Sequence, residues 1–184
     1  MRIPLLLELV VLSVTGMHAA ECSKSAQPVV KVYVQNAVIV PAYVLSRAEM
    51  TAARIFDQAG IRLRFLSGTP HRVDCPGVQT IELKLDAHAP SDRSPGVLAY
   101  ASLQERSGTR VHVFYDRIRT VHNGALTSPL LGHVMAHEIA HVLQGVSRHS
   151  DQGLLKAHWD EKDYAMMAST PLTFTPEDTG LLRQ

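Results

Sequence analysis

The chain has 184 residues, 46% of them hydrophobic and 19% charged, and its 18 Lys and Arg against 17 Asp and Glu leave a formal net charge of +1. That balance excludes a nucleic-acid binder and a reader of acidic surfaces, both of which need a basic excess on one face. The apolar fraction suffices for a packed core and excludes a disordered tail, and the length fits one domain.

At the N-terminus, Arg2 precedes an apolar run from Leu5 to Val14, interrupted by Glu8 and followed by Ala19-Ala20. These are the basic, apolar and small-residue regions of a secretory signal, too short to span a bilayer. Residues 1–20 are therefore expected to be a signal peptide and 21–184 a single domain, secreted or periplasmic. Cys22 and Cys75 are the only cysteines. In an oxidising compartment an isolated pair most simply forms one disulfide, closing a loop of about fifty residues; the alternative is two thiols. Neither has CxxC spacing, so neither is given a catalytic role.

Val29 to Val40, rich in Val, Ile and Tyr, predicts a long strand ended by Pro41. Ser46 and Glu49 have capping-box spacing, and Ala48, Ala52, Ile55, Phe56 and Ala59 recur at helical intervals up to Gly60, predicting a helix over 47–59. Ile61, Leu63 and Phe65 alternate with Arg62 and Arg64, and Ile81, Leu83 and Leu85 alternate with Glu82 and Lys84, giving two more strands with one buried face each. Val97 to Leu103 and Thr109 to Tyr115 flank Arg106-Ser107-Gly108 as a hairpin. There are no internal repeats. This order of strands and helix belongs to an α/β or α+β domain.

Ser128 and Pro129 predict the start of a helix, with Ser128 as N-cap, that runs to about Gln144. Within it lies His137-Glu138-Ile139-Ala140-His141. Two histidines four apart project from one helical face and can grip one ion, while Glu138, one step round, reaches a water on that ion without being forced to ligate it. Gly145 stands where the helix should end, and a left-handed turn there lets His149 swing back as a third nitrogen ligand. Three ligands and one open position mark a catalytic zinc site, although nickel, cobalt or copper would accept the same donors. His133 is expected to line the cleft or pack, and His158 to be exposed or to act behind the ligands. Thr175 and Pro176 predict a short capped helix at the C-terminus.

The run from His137 to His149, HExxHxxxGxxxH, resembles the signature of the metzincin zinc endopeptidases, HExxHxxGxxH, with the glycine one residue and the last histidine two residues later. It is most similar to uncharacterised secreted bacterial zincin-like proteins that carry this stretched form, with His149-Ser150 and Gly153-Leu154-Leu155 ending near Trp159. The resemblance covers about Leu126 to Trp159. It implies an α+β zincin-like catalytic domain: a mixed, twisted sheet of about five strands, a helix packed on it, and the HExxH helix. The implied function is a zinc-dependent endopeptidase, with His137, His141 and His149 as metal ligands and Glu138 as general base. It also implies a peptide or protein substrate laid along an edge strand, Val97 to Leu103, and no nucleic-acid partner; a monomer with no membrane span is expected. Such relatives would carry a methionine where Leu155 stands, and Met166 or Met167 could supply the apolar floor instead. Tyr164 is a conceivable oxyanion stabiliser, although a tyrosine there is more often structural.

Two rivals stand beside this reading. Glu161 lies twenty residues after His141, a separation similar to that of the thermolysin-like gluzincins, and would then be the third ligand. Alternatively, Leu155 and the stretched spacing would fit a secreted module that binds metal and hydrolyses nothing.

Overall fold

The computed structural model describes residues 27–70, 78–104 and 108–184. The expected signal segment 1–20, Cys22 and Cys75 lie outside the described residues. A five-stranded sheet has the order β2-β1-β3-β5-β4. Its strands are β1 (Val29–Asn36), β2 (Arg62–Ser67), β3 (Gln79–Asp86), β4 (Ala99–Gln104) and β5 (Gly108–Phe114). β1, β2, β3 and β5 run parallel to one another, while β4 pairs antiparallel with β5 and forms one edge. The mixed five-stranded sheet and the edge position of the fourth strand agree with expectation.

One face of the sheet is apolar for a simple reason: alternate residues of each strand share a face. Val30, Val32 and Val34, then Ile81, Leu83 and Leu85, then Val111 and Val113 are all buried there. The opposite face carries polar cross-strand pairs, such as Arg110 Nη2 donating to Glu82 at 2.6 Å. Two long helices cover the apolar face, α1 (Ala42–Gln58) and α3 (Thr127–Gln144), and they also pack on each other. Gly132 permits that contact, because a Cβ at this position would lie 2.7 Å from both the Ala48 carbonyl oxygen and Thr51 Cβ.

Several boundaries differ from the sequence expectation. The first strand stops at Asn36, not Val40, and the next helix starts at Ala42, five residues before the expected 47. Pro41 is the reason for the early start: its carbonyl accepts the amides of Val44 at 2.9 Å and Leu45 at 3.1 Å, so Ser46 is already inside the helix. Tyr115, expected to end a strand, begins α2 (Tyr115–Thr120), which a 3₁₀ turn (Val121–Gly124) connects to α3. That turn feeds the long helix directly. The N-cap of α3 is Leu126, with no side-chain cap, and Ser128 lies within the first turn beside Pro129, whose missing N–H needs no partner there.

Beyond α3 the chain forms a pinned loop, then α4 (Glu161–Met167) and α5 (Pro176–Leu182). The last helix has the expected Thr175 cap and Pro176 start. By contrast, α4 was not expected from the sequence, yet it carries a reciprocal capping box between Asp160 and Asp163. Among the described residues no helix is long and apolar enough to cross a membrane.

Candidate metal centre

The central helix α3 is buried almost all round from Leu130 to Ala140, which fixes its rotation and hence where its histidines point. His137 and His141, one turn apart, each spend Nδ1 on a backbone carbonyl: His137 donates to Leu154 at 3.0 Å and His141 to Val146 at 3.2 Å. The Leu154 carbonyl also takes the Trp159 indole N–H at 3.2 Å, so the loop beneath the helix is tied to both rings. With both Nδ1 atoms acting as donors, the two Nε2 atoms carry lone pairs, and they face each other 2.9 Å apart. Two lone pairs at that distance repel unless a cation lies between them.

Gly145 ends the helix in the left-handed region at φ 66, and the chain turns back at once. Four residues on, the ring of His149 lies 4.9 Å from that of His141 and 5.4 Å from that of His137, centroid to centroid. One ligand atom from each of the three lies within 4.8 Å of the others. Three neutral imidazoles converging on one point suit zinc, and outer hydrogen bonds such as those at Nδ1 are what orient metal-binding histidines. Burial pushes the His137 imidazole down to about 4, helped by neighbouring His141. Burial likewise lowers His141 and His149, with His149 and His158 respectively adding to it. All three rings are therefore biased toward the neutral form that can donate a lone pair to a metal.

Glu138 is the next residue of α3 after His137, and that helix packs beside the edge strand β4. Burial raises its carboxyl to about 7, opposed by a hydrogen bond from the backbone N–H of Ala101. Ala101 lies on the edge strand, in register with Val111 of β5. The Phe114 amide donates to the Leu98 carbonyl at 2.9 Å, so residues 98, 100 and 102 direct their backbone groups to β5 and residues 99, 101 and 103 direct theirs outward. The loop leading into this edge is held by Arg117, whose guanidinium donates to the Ser94 carbonyl at 2.7 Å. Glu138 thus follows His137 on α3 and is hydrogen-bonded to the edge strand, whose outward peptide groups face no other strand among the described residues.

The other expected residues fall elsewhere. Glu161 is not among the clustered donors: its side chain is 85% exposed on the first turn of α4, and its carboxylate lies 3.7 Å from His122 Nε2. Of the two expectations for His133, packing is the one the structure shows. The residue is fully buried, donating from Nδ1 to the Pro129 carbonyl at 2.6 Å and accepting the Leu172 amide at Nε2 at 2.9 Å. His158 is exposed. Tyr164 packs edge-on against His122, with ring centroids 4.9 Å apart, which fits the structural reading. Leu155 is fully buried, and its carbonyl accepts the Ser150 amide at 2.7 Å; Met167 is buried on α4, whereas Met166 is half exposed.

The sequence matches no protein-family model and no curated protein. Among solved structures the chain is similar to archaemetzincin from Methanopyrus kandleri, at 10% identity and a TM-score of 0.49, with 88% of this chain and 96% of that chain covered.

Proposed function

We propose that this chain is a secreted, zinc-dependent endopeptidase. The observation that carries the proposal is the convergence of the His137, His141 and His149 donor atoms within 4.8 Å of one another, with Glu138 beside them at an open sheet edge. His137, His141 and His149 would hold the ion. When bound, zinc supplies a water acidified toward neutral pH and polarisation of the scissile carbonyl.

The chain's own groups do the rest. An extended peptide would add to β4 through the outward peptide groups of residues 99 and 103 and the Ala101 carbonyl, which fixes the scissile bond over the helix. Glu138, held from one side by the Ala101 N–H, takes a proton from the attacking water at its carboxylate and returns it to the leaving amine nitrogen. A general base has no use in a purely structural metal site, and such a site usually closes its fourth position with another side chain. Three donors with an adjacent carboxylate favour catalysis over storage.

The test is hydrolysis of an unfolded protein by the zinc-loaded chain with and without a chelator. The proposal expects cleavage that the chelator abolishes and added zinc restores. If zinc is shown to be bound and no chelator-sensitive cleavage occurs, the chain is a metal-binding module instead.

A further inference from the structure

We infer that Asp178 is the positioning residue for the imidazole of His149, an inference that rests on the metal centre proposed above. His137 and His141 sit on a helix and are each anchored through Nδ1. His149 sits on a loop, is exposed, and its ring makes no hydrogen bond among the described residues. Its place must therefore be fixed by the backbone on either side of it.

Both neighbours bind the same oxygen. Arg148 Nη2 donates to Asp178 Oδ1 at 2.7 Å, and Ser150 Oγ donates to that atom at 2.6 Å. The other carboxylate oxygen, Oδ2, takes the Thr175 amide at 3.2 Å and its hydroxyl at 2.7 Å. The division of labour is informative. Capping of α5 uses Oδ2 alone, whereas Oδ1 is occupied entirely by the two residues that flank His149.

Asp178 is fully buried. A buried carboxylate is costly unless paired and fully hydrogen-bonded, and Arg148 supplies the opposite charge. Its backbone carbonyl also takes the Gln144 side-chain amide at 3.3 Å, so one residue joins the end of α3 to both neighbours of the third ligand. The brace has a fixed base, because Arg183 at the far end of α5 donates to the Ala59 carbonyl at 2.9 Å and so ties that helix to the end of α1.

The experiment compares zinc affinity, by competition with a chromophoric chelator, and the visible spectrum of the cobalt-substituted protein, across Asp178→Asn, Ser150→Ala, Thr175→Ala and His149→Ala. Loss of an outer partner of a metal ligand typically costs about 10–100-fold in affinity. Asp178→Asn is expected to lose affinity in that range with an altered cobalt spectrum, and Ser150→Ala to show a smaller loss in the same direction. Thr175→Ala, which weakens only the cap, should lower the melting temperature and leave affinity and spectrum near wild type. In the His149→Ala background, Asp178→Asn should cost no further affinity.

If Thr175→Ala and Asp178→Asn lower affinity in proportion to their melting temperatures, or if Asp178→Asn still weakens binding without His149, Asp178 is only a helix cap and the inference falls. Should Asp178→Asn not fold, unchanged affinity in Ser150→Ala combined with Arg148→Gln would overturn it equally. A wild-type chain that takes up no zinc would instead overturn the metal centre itself, and the inference with it.

Discussion

The carboxylate of Glu138, on the central helix, accepts the backbone N–H of Ala101 on the edge strand. This bond ties the candidate base to the edge strand. Glu138→Gln preserves the acceptor oxygen for Ala101 and removes only the basicity. It is expected to keep zinc at wild-type stoichiometry while peptide hydrolysis falls by about 10²- to 10⁴-fold. Metal analysis and a cleavage assay on the same sample check this, and a variant that retains turnover with zinc bound would exclude Glu138 as the base.

Gly132 should be irreplaceable for a reason of space. A methyl group there would meet the Ala48 carbonyl oxygen and Thr51 Cβ, both 2.7 Å away, and neither atom belongs to a flexible side-chain end. Gly132→Ala is expected to force α1 and α3 apart and to destabilise the fold by about 1–3 kcal/mol. Denaturant titration measures it; an unchanged midpoint and slope would mean the helices do not approach as described.

His133 gives the fold a pH dependence separate from the metal centre. Burial holds its imidazole below the ordinary value of 6.5, with the bond to the Pro129 carbonyl opposing. The unfolded chain therefore binds a proton at this residue at a pH where the folded chain does not, and stability falls as pH drops below about 6.5. In the presence of a chelator, the melting temperature is expected to decline between pH 7.5 and 5.5, and the decline should be shallower in His133→Gln. Equal slopes in the two proteins would show that this residue is not the titrating group.

Much of this architecture could be read from residue patterns, and what could not has a physical explanation. Ile81, Leu83 and Leu85 alternate with polar neighbours, and all three are buried on the helix-covered face. Val29 to Val40 was harder, because β-branched content says nothing about where the partner strand ends; in register, Asn36 is the last residue of β1 to face β3, opposite Leu85. The start of α1 was hidden because the capping pattern at Ser46 competed with Pro41, whose fixed φ serves a helix start as well as a strand end.

In the site, the spacing of His137, His141 and His149 was legible because helical geometry and one glycine turn suffice to bring those three side chains together. The Leu154 and Val146 carbonyls and the Ala101 N–H carried no signal, since every residue has such groups and only the tertiary fold aims them. The Thr175 cap was visible in the sequence, but nothing in that pattern shows Asp178 turning one carboxylate oxygen to Arg148 and Ser150.

The most direct test of the account is zinc stoichiometry and affinity in the wild-type chain and in His137→Ala, His141→Ala, His149→Ala and Glu161→Ala. The account predicts one tightly bound zinc per wild-type chain, strongly weakened binding in each histidine variant, and binding unchanged in Glu161→Ala. Zinc held as firmly without His149 as with it, or lost on replacing Glu161, would contradict it.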